Sequence, residues 1–135
     1  MFKIPKIILK TYLLLTWILI IFLAVSIPVQ GMDNPNGYWG LDKLAHFLLF
    51  GVLAFLTLSL SKEFVFAKTV VPTPKLVNQI YLLVGLFCLI YILISEYIQS
   101  FIPGRYPSWG DVLAGVLGVA AAWAYFNFKK TLFKS

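Results

Sequence analysis

Charged side chains are scarce in this sequence of 135 residues. They make up 12% of it, whereas hydrophobic residues make up 61%, and the mean hydropathy is +0.91. An ordinary soluble domain carries roughly 25% charged residues. The composition therefore excludes an ordinary soluble protein and predicts an integral membrane protein whose first partner is the lipid bilayer.

Cysteine and histidine are also almost absent. Cys88 is the single cysteine, so an internal disulfide and a cysteine-rich metal site are both excluded. The net charge of +6 comes mainly from lysines that flank apolar runs and form no dense basic patch. We therefore predict no nucleic-acid partner and no cofactor, and the sequence is silent on the oligomeric state.

What the sequence does contain is four long runs almost free of charge, each long enough to cross a bilayer as a helix. The predicted spans are about 11–29, 44–61, 76–98 and 111–128, joined by polar loops over residues 30–41 and 62–75. We predict an all-α bundle of four transmembrane helices that forms one membrane domain over residues 1–135. A cleavable signal peptide is the alternative interpretation of the first run, because both begin with basic residues.

The lysines are distributed unevenly between the two sides of such a bundle. Only Lys43 and Arg105 fall on one side, and the other side holds Lys3, Lys6, Lys10, Lys62, Lys68, Lys75, Lys129, Lys130 and Lys134. Basic residues accumulate in cytoplasmic loops. We therefore predict a multi-pass protein of the cell membrane with both termini cytoplasmic and the loops near residues 30–43 and 101–111 on the extracytoplasmic side.

Most of the remaining charged or titratable residues lie in or next to those two outward loops. Asp42 and His46 are four positions apart and share one helix face, as do Glu96 and Gln99, which are three positions apart. Ionisable groups at membrane depth are expensive, so they should face inward and pair, with Arg105 as counter-charge. The spacing predicts an outward-facing polar pocket where three helix ends meet.

Each of these residues receives a predicted role. His46 and Glu96 are candidates for a catalytic acid and base, and Asp42 would orient the histidine. The candidate binding residues are Arg105, Lys43, Gln99, Ser108 and Asp111. We predict no metal site, although a metal held by His46, Glu96 and either Asp111 or Asp42 remains an alternative. A purely structural role, in which Asp111 caps the fourth helix, is a second alternative.

Two segments together resemble the VanZ-like family of small bacterial membrane proteins. The matching residues are Asp42-Lys43-x-x-His46-Phe47-x-x-Phe50 and Glu96-x-x-Gln99-x-Phe101-x-Pro103-Gly104-Arg105-x-x-Ser108-x-x-Asp111-x-x-Ala114-x-x-x-Gly118. The family commonly has an asparagine four residues after the aspartate, where this chain has Gly115. The resemblance implies action at the cell envelope, near lipid-linked precursors at the outer leaflet, and a link to teicoplanin resistance.

Three functions are consistent with these patterns. The polar pocket can bind an anionic lipid or a lipid-linked glycan precursor through Arg105 and Lys43. Alternatively, the protein is a membrane-embedded hydrolase or transferase that uses His46 and Glu96. In the third interpretation it is a structural assembly subunit, and the charged residues only hold the helix ends together.

Overall fold

The computed structural model describes residues 5–28, 39–68 and 73–132. Within these ranges the chain forms four helices and no strand: α1 (Lys6–Ser26), α2 (Trp39–Lys68), α3 (Pro74–Gln99) and α4 (Trp109–Leu132). All four are long and apolar enough to cross a membrane. The predicted all-α bundle of four membrane-spanning helices is confirmed, and the chain is a multi-pass membrane protein.

The helices are longer than the charge-free runs that predicted them. The loop predicted to begin at residue 62 is wrong in its first half, because α2 continues to Lys68. A charge at the membrane surface ends the apolar run but not the helix, and here Glu63 is held by Lys10 of α1, with Nζ and Oε1 2.6 Å apart. Residues 29–38, which include most of the first predicted loop and Asp33, lie outside the described residues.

The helices α2 and α4 cross in close contact at two glycines. A Cβ atom on Gly118 would overlap the carbonyl oxygen of Phe47 and lie 2.9 Å from the amide nitrogen of Gly51. Small residues that recur every four positions in α4 predict such an approach. It places the first turns of α2 and α4, with their charged residues, side by side.

The other two helices pack on this pair through buried apolar contacts, and hydrogen bonds to main-chain carbonyls join α1 to α2 and α3 to α1. Trp17 Nε1 donates to the carbonyl oxygen of Leu49 (2.9 Å), and Tyr91 Oη donates to that of Ile18 (2.9 Å). The buried core contains Ile21, Val25, Phe50, Leu53, Ala54, Leu58, Val84, Cys88, Ile92, Val119 and Ala122. Many large apolar side chains remain on the outer faces, as expected for a surface in contact with lipid.

Candidate functional site

Six charged or titratable residues meet at the end of the bundle where α1 and α3 end and α2 and α4 begin. We call them the polar cluster: Asp42, Lys43, His46, Glu96, Arg105 and Asp111. His46, Glu96 and Asp111 are buried, at 2%, 6% and 2% exposure, whereas the side chains of Asp42, Lys43 and Arg105 are 45%, 30% and 17% exposed. The cluster therefore has a buried floor and a charged surface.

The floor is built around the contact between His46 and Glu96. His46 Nε2 lies 3.1 Å from Glu96 Oε1, although the two atoms are not aligned as a hydrogen bond. The other carboxylate oxygen, Oε2, accepts a hydrogen bond from the backbone N–H of Ser108 at 2.9 Å. The carboxylate is thereby fixed beside the imidazole, close enough for a proton to pass between them after a small rotation.

Asp42 contacts the histidine mainly through its backbone. Its carbonyl oxygen lies 3.0 Å from His46 Nδ1, whereas its carboxylate oxygen Oδ1 lies 3.9 Å away and faces the surface. Both ring nitrogens of His46 thus face oxygen atoms. The Asp42 side chain was predicted to orient His46, and in this structure the backbone carbonyl of Asp42 makes that contact instead.

Arg105 connects the loop after α3 to the C-terminal end of α1. Gly104 has a positive φ of 79°, which turns the chain back toward the bundle. Arg105 Nη2 then donates to the carbonyl oxygen of Ala24 at 2.9 Å, Nε donates to that of Ile27 at 3.4 Å, and Nη1 lies 3.7 Å from Asp42 Oδ1. The predicted counter-charge therefore faces Asp42, and it also satisfies carbonyl groups that the end of α1 leaves open.

Lys43 and Asp111 form the contact between α2 and α4. Lys43 Nζ lies 3.5 Å from Asp111 Oδ1. The interpretation of Asp111 as the N-cap of α4 is wrong, because Ser108 Oγ accepts the N–H of Gly110 at 3.1 Å and Asp111 lies within the first helical turn. Its carboxylate is instead buried between helices, near the positive end of the α4 dipole.

Two of the predicted binding residues point away from the surface of the cluster. Gln99 is 1% exposed, and its Nε2 has no hydrogen-bond partner among the described residues. Ser108 uses its N–H for Glu96 and its hydroxyl for the cap of α4. Gln99 and Ser108 therefore shape the interior of the site, whereas Asp42, Lys43 and Arg105 form the part that a ligand can reach.

Sequence reasoning missed two features of the site. One is the pair of α1 carbonyls that bind Arg105, which depend on how the loop folds. The other is a group of highly exposed aromatic side chains at this end of the bundle, namely Tyr97, Phe101, Tyr106 and Trp109, with exposures of 68%, 68%, 85% and 83%. The dense aromatic residues between positions 97 and 109 were a signal for it, because such residues mark the membrane interface.

The polar cluster also contains donor atoms suited to a metal ion. Asp42, His46 and Asp111 each offer one ligand atom, and the three atoms lie within 4.8 Å of one another. This set leaves out Glu96, which the alternative derived from the sequence had included. Below the cluster, Gly115 packs against Ile92 and Phe50, where a Cβ atom would be 3.0 and 3.1 Å from their side chains. Apolar side chains therefore surround position 115, where the family pattern described above has an asparagine.

Of three comparisons with known proteins, one identifies a family. The model of the VanZ/LLP1 family matches residues 6–130, which is nearly the whole chain and includes every residue of the polar cluster. Neither the curated proteins nor the solved structures contain a significant match. The chain is a member of the VanZ/LLP1 family.

Proposed function

We propose that the protein acts at the cell envelope, where its polar cluster binds the anionic head group of a lipid or a lipid-linked glycan precursor from the extracytoplasmic side. The observation that carries this proposal is the position of Lys43 and Arg105, two partly exposed cations at the aromatic end of the bundle. Exposed aromatic residues lie at the depth of lipid head groups. The two cations are therefore within reach of phosphate groups.

The contact that Arg105 makes with Asp42 leaves room for a ligand. Arg105 Nη1 is 3.7 Å from Asp42 Oδ1, whereas a tight charge-assisted hydrogen bond is about 2.8 Å long. A phosphate oxygen can therefore compete with Asp42 for Arg105. Arg105 keeps its anchor on the carbonyl of Ala24 while Nη1 turns to the ligand, so the guanidinium is already positioned for binding.

An apolar groove beside the cluster supports a lipid as the ligand. It has a volume of about 260 Å³ and lies between α2 and α4, where its lining includes Phe47, Gly51 and Gly118. Phe47 follows His46 directly in α2, so the groove begins at about the same depth in the bundle as the floor of the cluster. A lipid whose phosphate binds Lys43 and Arg105 can lay an acyl or prenyl chain along this groove.

The distribution of lysines supports the outward orientation. Among the described residues, all lysines except Lys43 lie toward the opposite end of the bundle, at the start of α1 and α3 and the end of α2 and α4. By the positive-inside tendency that end faces the cytoplasm. The polar cluster then faces the outer leaflet, and through it we propose a role in the teicoplanin resistance that the family resemblance implies.

Lipid retention tests this function directly. Wild-type protein is reconstituted with a polyprenyl phosphate, phosphatidylglycerol or phosphatidylcholine in the presence of EDTA, and retained lipid is counted by native mass spectrometry. We expect the two anionic lipids to be retained over phosphatidylcholine, and Lys43→Gln to lower that preference about tenfold, as for loss of one charge-assisted contact. Lys68→Gln, at the opposite end, is the matched control and should behave as wild type. Equal retention of all three lipids would contradict the proposal.

The contact between His46 and Glu96 favours a second candidate, a membrane-embedded hydrolase or transferase. Glu96 can accept a proton from His46 or return it, so the pair can activate water or a hydroxyl group for attack on a bound head group. In that case His46→Ala and Glu96→Gln abolish an envelope phenotype while the protein remains abundant in the membrane. If abundance falls in both variants, the assembly-subunit interpretation is favoured instead.

A further inference from the structure

We propose that Asp42, His46 and Asp111 hold a divalent metal ion at the polar cluster. Their ligand atoms already lie within 4.8 Å of one another. Three ligand atoms about 2.1 Å from one metal are about 3.4 to 3.6 Å from one another, so the site closes when separations of up to 4.8 Å shrink by up to about 1.4 Å. Asp42, whose side chain is 45% exposed, has room for that movement.

A buried oxygen atom at this place needs a partner. Asp111 is 2% exposed, and within the described parts of the chain its Oδ1 accepts no hydrogen bond. The ammonium of Lys43, at 3.5 Å, is too far for a tight one. Buried polar atoms are nearly always satisfied in folded proteins. A cation between Asp111, Asp42 and His46 supplies what this oxygen lacks.

The surroundings of His46 approach those of a metal-binding histidine, because a small rotation would align Nε2–H with Glu96 Oε1. Nδ1 is on the side of Asp42, 3.9 Å from its Oδ1, whereas Nε2 is 3.1 Å from Glu96 Oε1. Ligating histidines usually donate their other ring N–H to a carboxylate, which fixes the ring. Glu96 is itself held by the N–H of Ser108 and so acts as a positioning residue. On metal binding, Nδ1 exchanges its contact with the Asp42 carbonyl for the ion.

The donor set indicates which ions fit. Two carboxylates and one imidazole suit Zn²⁺, Mn²⁺ or Fe²⁺, because carboxylate favours harder ions and imidazole favours borderline ones. Three protein ligands leave positions open for water or a phosphate oxygen. Lys43 lies 3.5 Å from Asp111 Oδ1 and Arg105 lies 3.7 Å from Asp42 Oδ1, so both partly exposed cations must give way to the ion. The inference stands independently of the head-group proposal.

Metal content of the purified protein tests this site. Full-length protein in detergent is stripped with EDTA, incubated with Zn²⁺ or Mn²⁺ and desalted, and bound metal is measured by mass spectrometry. We expect about one ion per chain in the wild type. Asp42→Asn and Asp111→Asn should lower the affinity at least about 100-fold, and Glu96→Gln about 10- to 100-fold, as for loss of an outer partner. Glu63→Gln, which removes a carboxylate at the other end of the bundle, is the control and should bind as wild type.

We expect Lys43→Gln to raise the affinity for the metal, whereas the carboxylate variants lower it. Removal of a cation next to the site should tighten metal binding about tenfold or more, because repulsion between like charges is lost. If Asp111→Asn fails to fold, Asp42→Asn and Lys43→Gln decide the matter. The proposal is overturned if the wild type binds neither ion, or if these two variants bind as the wild type does. No lipid is present, and the lipid assay contains EDTA, so failure of one proposal is distinguishable from failure of the other.

Discussion

The two ends of the bundle use charge in different ways. At the lysine-rich end, defined by Lys6, Lys10, Glu63, Lys68 and Lys129, Lys10 and Glu63 form a short bond of 2.6 Å with both side chains partly exposed. At the other end, the polar cluster buries His46, Glu96 and Asp111, and some of their polar atoms lack hydrogen bonds among the described residues. At the first end the acidic residue, Glu63, is partly exposed and paired with Lys10. Charge at the second is buried and incompletely satisfied, as is typical of a binding site.

Removal of one carboxylate from each end should show this difference most strongly. Glu96→Ala leaves the N–H of Ser108 without its acceptor and removes the buried carboxylate 3.1 Å from His46 Nε2, and we expect it to lower the free energy of unfolding by about 3 to 5 kcal/mol. Glu63→Ala removes a partly exposed pair and should cost less than about 1 kcal/mol. Unfolding by SDS titration in mixed micelles measures both. Equal losses of unfolding free energy in the two variants would contradict the difference between the two ends.

The crossing of α2 and α4 should have the next largest effect, because it positions the cluster. Gly118→Ala places a methyl group on the carbonyl of Phe47 and should destabilise the protein by about 1 to 3 kcal/mol. Gly40→Ala is the matched control, since nothing lies within 4 Å of its Cβ position. The same titration compares them. A neutral Gly118→Ala variant would show that the two backbones are not in contact.

The smallest effect is expected from the two cations that join α1 to the rest of the bundle. Arg105→Gln removes donors from the carbonyls of Ala24 and Ile27, with an expected loss of about 1 to 2 kcal/mol. Lys10→Gln breaks the bond to Glu63 at the other end, with an expected loss of about 0 to 1 kcal/mol. Thermal unfolding in detergent distinguishes them. A larger loss for Lys10→Gln would reverse the comparison.

The sequence predicts the fold well and the helix ends poorly. Apolar runs and their length indicate that four helices cross the membrane, because a helix satisfies its backbone hydrogen bonds within the segment itself. The extension of α2 to Lys68 runs past Lys62 and Glu63, the charges at which the predicted span ended. There Glu63 contacts Lys10, which is far away in the chain, and the sequence alone does not predict that contact.

The sequence likewise predicts some contacts of the site and not others. Helical spacing places Asp42 with His46 and Glu96 with Gln99, and the need to pair buried charge brings His46 to Glu96. The partners of Arg105 could not be predicted, because main-chain carbonyls carry no sequence signal. The contact of Lys43 with Asp111 likewise depends on the close crossing of α2 and α4.

The proposed envelope role depends above all on which end of the bundle faces outward. Single cysteines placed at Tyr106 and at Lys68, both exposed, report this in a Cys88→Ala background that removes the buried native thiol. Intact cells are treated with a membrane-impermeant maleimide before lysis. We predict labelling of Tyr106→Cys in intact cells and of Lys68→Cys only after lysis. Labelling of Lys68→Cys alone in intact cells would place the polar cluster in the cytoplasm and contradict the proposed function.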